Sequence, residues 1–232
     1  MNKQSMKKSH SSSTLSVPDF DKIFDYENAF YATASIDRIS KFATHLELYN
    51  RIKELPGDVI DCGVFKGNSL FRFIKFRELL ENSLNRKIIA FDTFGDFPET
   101  NSKDDAPIRK QFIDAAGDQS RSKSEIITIL KKLGLYKNVE LIEGDIIETV
   151  PEYLSNNPQG KLSLLNIDVD LYEPTRSCLE GLFPRLVRGG IVILDDYGVF
   201  PGANKAIDDY FNSSELRVQK LSYSKICFIE KS

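Results

Sequence analysis

The chain has no tryptophan, two histidines, two methionines and three cysteines among its 232 residues. Each scarcity narrows the chemistry. Cys62, Cys178 and Cys227 sit in apolar surroundings at a spacing that matches neither a zinc motif nor a disulfide ladder. They read as small buried residues of a protein kept in a reducing cytoplasm. His10 falls in a serine run and reads as an accident of composition. His45 reads as a surface or satisfied helix residue, since one ionisable side chain makes no site. No apolar run approaches the ~18–20 residues that span a bilayer. Lys3, Lys7 and Lys8 have no apolar core behind them, so no secretory signal is expected. The net charge of −3 offers no general attraction to nucleic acid or anionic lipid.

What remains is an ordinary globular composition, 41% hydrophobic and 28% charged, on a length that suits one α/β domain with a full core. Residues 1–18 are rich in Ser, Lys and Asn and are expected to form a mobile tail. A single domain is expected over 19–232, with an N-terminal helical cap over 19–55. Within the cap, Ile36, Ile39, Phe42, Leu46, Tyr49 and Ile52 recur at helical spacing, and Pro56-Gly57 ends the helix. Residues 95–121 read as an irregular, lid-like insertion. Elsewhere short apolar runs alternate with amphipathic stretches. The last two runs, 217–221 and 224–229, are too close for a helix between them and must form a hairpin. The expected fold is α/β, a Rossmann-like sheet, mainly parallel, with an antiparallel terminal hairpin strand.

The chemistry concentrates in Leu162–Thr175, LSLLNIDVDLYEPT. A buried strand runs into Asp168 and Asp170 at its C-terminal end, where ligands bind in open α/β sheets. A second apolar run, Ile191–Leu194, ends in Asp195 and Asp196, after a tight turn expected at Arg188-Gly189-Gly190. Asp168, Asp195 and Asp196 are hard oxygen ligands without His or Cys beside them. Such a set suits Mg²⁺ or another hard divalent cation. Without a cation the acids repel, and some must stay protonated. Asp170 is left as a general base toward a metal-bound hydroxyl. Tyr172 and Tyr197 flank the acids and read as packing.

Upstream, Asp58–Ser69 gives strand, turn and helix start, with Gly63 and Gly67 four residues apart. A helix N-terminus behind a glycine turn cradles nucleotide-like ligands. Phe65 and Lys66 crowd the place of a pyrophosphate, which favours a ligand without phosphates. Asp92, followed by Thr93 and Phe94, ends the second strand, where a carboxylate accepts from a ribose diol. Asp145, after Gly144, either meets a purine amine or caps the helix that follows.

Five stretches, GDVIDCGVFKGNS, FDTFGDFPE, Gly144-Asp145, LNIDVDLYEPT and GGIVILDDYGVFPGANKAIDDY, together resemble the macrocin O-methyltransferase family over roughly residues 55–211. The resemblance implies a class I methyltransferase sheet and an S-adenosylmethionine- and Mg²⁺-dependent O-methyltransferase of sugar hydroxyls in antibiotic or surface-glycan precursors. It implies that Asp61, Gly63, Val64, Gly67 and Ser69 line the cofactor's methionine end. Asp92 would hold the ribose, Thr93 belongs to the same turn, and Phe94, Asp145 and Ile146 would meet the adenine. Asp168, Asp195 and Asp196 would bind Mg²⁺, with Asp170 as base. Asp61 stands where relatives usually carry Glu, and Phe65-Lys66 where they often carry Trp-Arg. The N-terminal region and residues 95–121 carry little of the pattern, so the acceptor sugar or glycoside stays unnamed. Relatives tend to self-associate, but no interface is visible in the sequence. The rival readings are a catechol- or caffeoyl-type metal-dependent O-methyltransferase and a nucleotide-dependent oxidoreductase.

Overall fold

The computed structural model describes residues 17–100, 105–212 and 214–232. Most of the expected tail, His10 included, lies outside them. The elements run in the order α1 (Ile23–Thr33), α2 (Ile36–Ile52), β1 (Asp58–Cys62), α3 (Asn68–Leu80), β2 (Ile88–Asp92), α4 (Ala106–Ala116), α5 (Lys123–Lys132), β3 (Val139–Glu143), α6 (Ile146–Asn156), β4 (Leu162–Ile167), α7 (Tyr172–Leu182), β5 (Leu186–Leu194), α8 (Pro201–Phe211), β6 (Gln219–Lys220) and β7 (Cys227–Glu230).

The seven strands form one sheet in the order β3-β2-β1-β4-β5-β7-β6. The first five are mutually parallel, and β7 runs against both β5 and β6 as the terminal hairpin predicts. Strand order reverses at β1, which pairs β2 on one side and β4 on the other. Such a switch point opens a crevice at the C-terminal strand ends.

Alternation along each strand divides the core. Val59, Ile88, Leu164 and Ile191 join the side packed by α2, α3 and α5. Ile60, Ile89, Leu165 and Val192 join the side packed by α6, α7 and α8. Both faces are covered, as a parallel sheet requires. Cys62 and Cys178 are buried, while Cys227, on the outer hairpin, is half-exposed. No helix among the described residues is long and apolar enough to cross a membrane.

Three local expectations, on the insertion, on the turn before Ile191 and on His45, need correction. The insertion is not wholly irregular: α4 forms inside it, with Pro107 in its first turn. None of the α4 side chains is fully buried, and Phe112 and Ile113 are half-buried on its inner side. The helix at Tyr172 stops at Leu182, and a single 3-10 turn at Phe183–Arg185 carries Pro184 into β5. β5 begins at Leu186 and passes through Gly189-Gly190 instead of starting after a turn. Its register against β4 shifts there, and a Cβ on Gly190 would stand 2.8 Å from the Val187 carbonyl oxygen. The glycines permit a bulge. His45 is fully buried, stacked on Phe73 at 5.1 Å, and neither ring nitrogen has a hydrogen-bond partner. Burial, with Lys41 and Arg72 nearby, holds its pKa well below the usual value, so it stays neutral.

The strand starts are clamped by Arg86, which is 5% exposed. It pairs with Glu81 at 2.6 Å and donates to the carbonyls of Lys53, Leu55 and Gly57 at 2.9, 3.2 and 3.1 Å. Helix end, β1 start and β2 start are thereby tied at the edge opposite the crevice. Arg86→Met should destabilise the protein by about 3–5 kcal/mol in urea unfolding, because Glu81 would keep a buried charge with no ionic partner.

Candidate active site

The crevice at the switch point is a cleft of about 1030 Å³. Its walls come from the C-terminal ends of β1, β2, β4 and β5, from α4 and from the start of α2. That volume is at the upper end for a small-molecule site and has room for two small molecules together.

The floor is set by a backbone contact. Gly63 follows β1 with φ 89°, and a Cβ there would lie 1.8 Å from the Asp168 carbonyl oxygen. Only glycine lets β1 and β4 leave the sheet side by side at this point. The missing side chain therefore makes room for the acidic loop, a use that the sequence pattern did not reveal. Gly67, at φ 91°, precedes α3 and packs against Phe71. Phe65, Phe94 and Asp170 hold φ values of 48°, 50° and 62°, although none is glycine. All three lie in the loops that follow β1, β2 and β4, where strain collects at functional sites.

Asp61 is fully buried behind the wall, accepting from Ser69 Oγ and from Asn166 Nδ2, both at 2.8 Å. Burial pushes its carboxyl up to about 7 against those two hydrogen bonds. Asp92 braces the glycine turn. One oxygen accepts from the Val64 and Phe65 amides at 2.8 and 2.9 Å, the other from the Phe94 amide at 2.7 Å. A ribose diol would share a carboxylate that already holds three amides. Asp145 Oδ1 caps α6 through the Ile147 amide at 2.9 Å. The capping half of its two readings is thus present. Val64, Ser69, Asp92, Thr93, Asp145 and Ile146 line the cleft with Gly63. Asp61, Gly67 and Phe94 do not, and Phe94 packs into the α3 side of the core.

Asp168, Asp170, Asp195 and Asp196 all reach the cleft. Carboxylate oxygens of Asp168, Asp195 and Asp196 lie within 4.8 Å of one another. Asp195 Oδ1 is buried with no hydrogen-bond partner. The Asp170 amide donates to Asp196 Oδ2 at 2.8 Å, which fixes the strained turn. Burial and the mutual repulsion of the acids push Asp170 up to about 7 and Asp195 up to about 6, and raise Asp196 well above the carboxylate range. An orphaned buried oxygen inside an all-oxygen set fits a hard cation.

Sequence reasoning missed Lys41. From α2 its ammonium reaches Asp168 Oδ2 at 3.2 Å and Asp195 Oδ2 at 2.7 Å. Burial alone would depress this group, but the two carboxylates outweigh burial and hold it above its usual value. Asn166, which donates to Asp61 from β4, was also missed. Tyr172 and Tyr197 do more than pack, donating to Asp209 at 3.0 Å and Asp208 at 2.7 Å on α8.

The family model for macrocin O-methyltransferases matches residues 16–223. The chain belongs to the macrocin O-methyltransferase family. The Streptomyces olivaceus 8-demethyl-8-(2,3-dimethoxy-alpha-L-rhamnosyl)-tetracenomycin-C 4'-O-methyltransferase is 30% identical over 158 residues, 67% of this chain and 58% of that protein. The Micromonospora griseorubida mycinamicin III 3''-O-methyltransferase is 27% identical, over 80% of this chain and 72% of that one. The chain thus spans little more than half of the first of these relatives. A calicheamicin methyltransferase of known crystal structure superposes with a TM-score of 0.74 at 26% identity, covering 89% of this chain and 84% of that one. A Bacillus cereus O-methyltransferase solved with SAH shares the fold, with a TM-score of 0.52.

Asp61 gives this member of the family a pH signature. Its folded pKa of about 7 lies above the ordinary 3.8, so the stability it contributes is present at acid pH and lost as pH rises through about 7. In metal-free buffer without donor, Asp61→Asn should melt higher than wild type at pH 8 and show a shallower fall between pH 4 and pH 8. A melting curve unchanged in slope would show that the carboxyl titrates normally.

Proposed function

We propose that this chain is an O-methyltransferase that takes the methyl group of S-adenosylmethionine to a sugar hydroxyl with the help of a hard divalent ion, Mg²⁺ first among them. The observation that carries the reading is the meeting of Asp168, Asp195 and Asp196 beside Asp170 on the floor of a cleft that the glycine turn also lines. The names of the relatives support a sugar acceptor, and the family supports the donor.

In this reading the donor's methionine end lies along Gly63, Val64 and Ser69, with Asp61 and Gly67 holding that turn from behind. Its nucleoside lies between Asp92, Thr93, Asp145 and Ile146, with Phe94 supporting their loop from the core. Asp168, Asp195 and Asp196 hold the cation. When bound, the donor supplies an electrophilic sulfonium methyl and the cation lowers the pKa of the hydroxyl.

The chain's own groups do the rest. Asp170 accepts the hydroxyl proton on its carboxylate. Burial and the repulsion of Asp168 and Asp195 raise its pKa in the metal-free cluster; with a cation on those two acids that repulsion is relieved and the charged, accepting form is favoured. Its strained turn is held by Asp196, whose Oδ2 accepts from the Asp170 amide, and the two carboxyl groups lie close enough to interact. The insertion excludes water as a lid. Phe112 of α4 meets Phe65 at 5.4 Å and Phe97 at 5.5 Å, and Arg121 donates its amide to the Phe65 carbonyl at 2.8 Å. A dry, fixed geometry is what an in-line transfer needs.

The test is a methyl-transfer screen over nucleotide sugars, glycosides and catechols, with Mg²⁺ or with excess EDTA. Turnover should appear on a sugar acceptor and vanish in EDTA. Turnover on catechols alone would move the acceptor class, and full activity in EDTA would remove the metal. Asp170→Asn should lower kcat by about 10²–10⁴-fold while donor binding by calorimetry stays intact.

A further inference from the structure

We infer that Lys41 is the resident counter-cation of the acid cluster, that a divalent ion reaches Asp168 and Asp195 only by displacing its ammonium, and that Lys41 thereby sets the affinity for the ion. The inference rests on the metal reading proposed above.

Lys41 arrives from α2, 127 and 154 residues away in sequence from the two acids that it bridges. Its Nζ bonds Oδ2 of Asp168 and Oδ2 of Asp195, two of the three carboxylates whose oxygens lie within 4.8 Å of one another. A hard divalent ion would sit about 2.0–2.6 Å from such oxygens. That is inside the space that the ammonium takes up. Two cations at one pair of oxygens also repel, so occupancy by one excludes the other.

The charge balance is incomplete with lysine alone. Four carboxylates face the cleft here and Asp61 lies behind them, while Lys41 bridges two of the four. Arg72 stands near the same acids but makes no pair with them, and His45, one turn along α2, is neutral. One ammonium reduces the repulsion without removing it. The orphaned Asp195 Oδ1 records what is left. A divalent ion neutralises more charge and draws on three carboxylates at once, so it wins when it is present.

Displacement is mechanically simple. The Lys41 side chain is 22% exposed, so its flexible four-carbon stem can swing into the cleft without moving α2. The ion's apparent affinity is then its intrinsic affinity multiplied by the fraction of molecules in which the site is free of lysine.

The experiment uses the full chain stripped with EDTA and titrates Mn²⁺, with free Mn²⁺ read by electron paramagnetic resonance and melting followed in parallel. Wild type, Lys41→Met, Lys41→Gln, Lys41→Arg and Asp195→Asn are compared. Both neutral variants should bind Mn²⁺ about tenfold or more tightly than wild type, the gain expected where the free site is populated about one time in ten. They should also melt below wild type in EDTA and gain more from saturating Mn²⁺. Lys41→Arg, which keeps the cation, should bind no more tightly than wild type.

If wild type binds and Asp195→Asn does not, while the neutral lysine variants bind equally or more weakly than wild type, the role of Lys41 is overturned and the metal site stands. If none of the five proteins binds Mn²⁺, the metal site itself is overturned and the competition with it. Should the neutral variants unfold in EDTA, recovery of the fold on adding Mn²⁺ supports the inference. Failure to recover overturns it.

Discussion

Four carboxylates gathered at one buried sheet edge repel one another, and the rest of the site is arranged around that repulsion. Asp168, Asp170, Asp195 and Asp196 come from the ends of adjacent strands because β4 and β5 are parallel partners with Ile167 opposite Leu194. Parallel pairing delivers both acidic ends to the same side. Burial then makes the repulsion costly, since little water reaches the oxygens. Lys41, the Asp170 amide and the raised carboxyl pKa values are three different answers to one electrostatic problem. A divalent cation would be a fourth.

The cluster can exist only because the backbone around it is unusually close. Gly63 lets the end of β1 touch the Asp168 carbonyl, and Asp92 ties the loop after β1 to the end of β2 through two amides. Asp61 and Asn166 then join β1 to β4 one layer below. Polar groups thus stitch the top of the sheet, while Arg86 stitches the bottom. The apolar core between these layers keeps the two edges in register. Site geometry and fold stability are therefore coupled through the same three strands.

Much of this was legible in the chain itself. Apolar runs that end in acids located β4 and β5, and the helix-then-hairpin ending located the antiparallel strand. The glycine turn after β1 was visible too, although Gly63 proved to serve a neighbouring strand as well as the cleft. What escaped shares a physical cause. Lys41 is one of many lysines, and its partners lie more than a hundred positions away, so no local pattern marks it. The α4 helix has no fully buried side chain, and half-buried Phe112 and Ile113 mark its inner face. The length of β5 was hidden because two glycines inside a strand look like a turn, and only the bulge against β4 explains them. Asp92 looked free for a ligand because its three amide partners come from loop geometry, not from spacing. His45 was read by its chemistry, yet its ring stacks on Phe73 as part of the core.

The most direct measurement is the anomalous density of Mn²⁺ in a crystal of the protein grown with S-adenosylhomocysteine. The account predicts one strong peak about 2.0–2.6 Å from carboxylate oxygens of Asp168, Asp195 and Asp196, with Asp170 outside the coordination sphere and facing the thioether sulfur. A peak that includes Asp170 as a ligand, or no peak at the strand ends with the nucleoside bound, would contradict it.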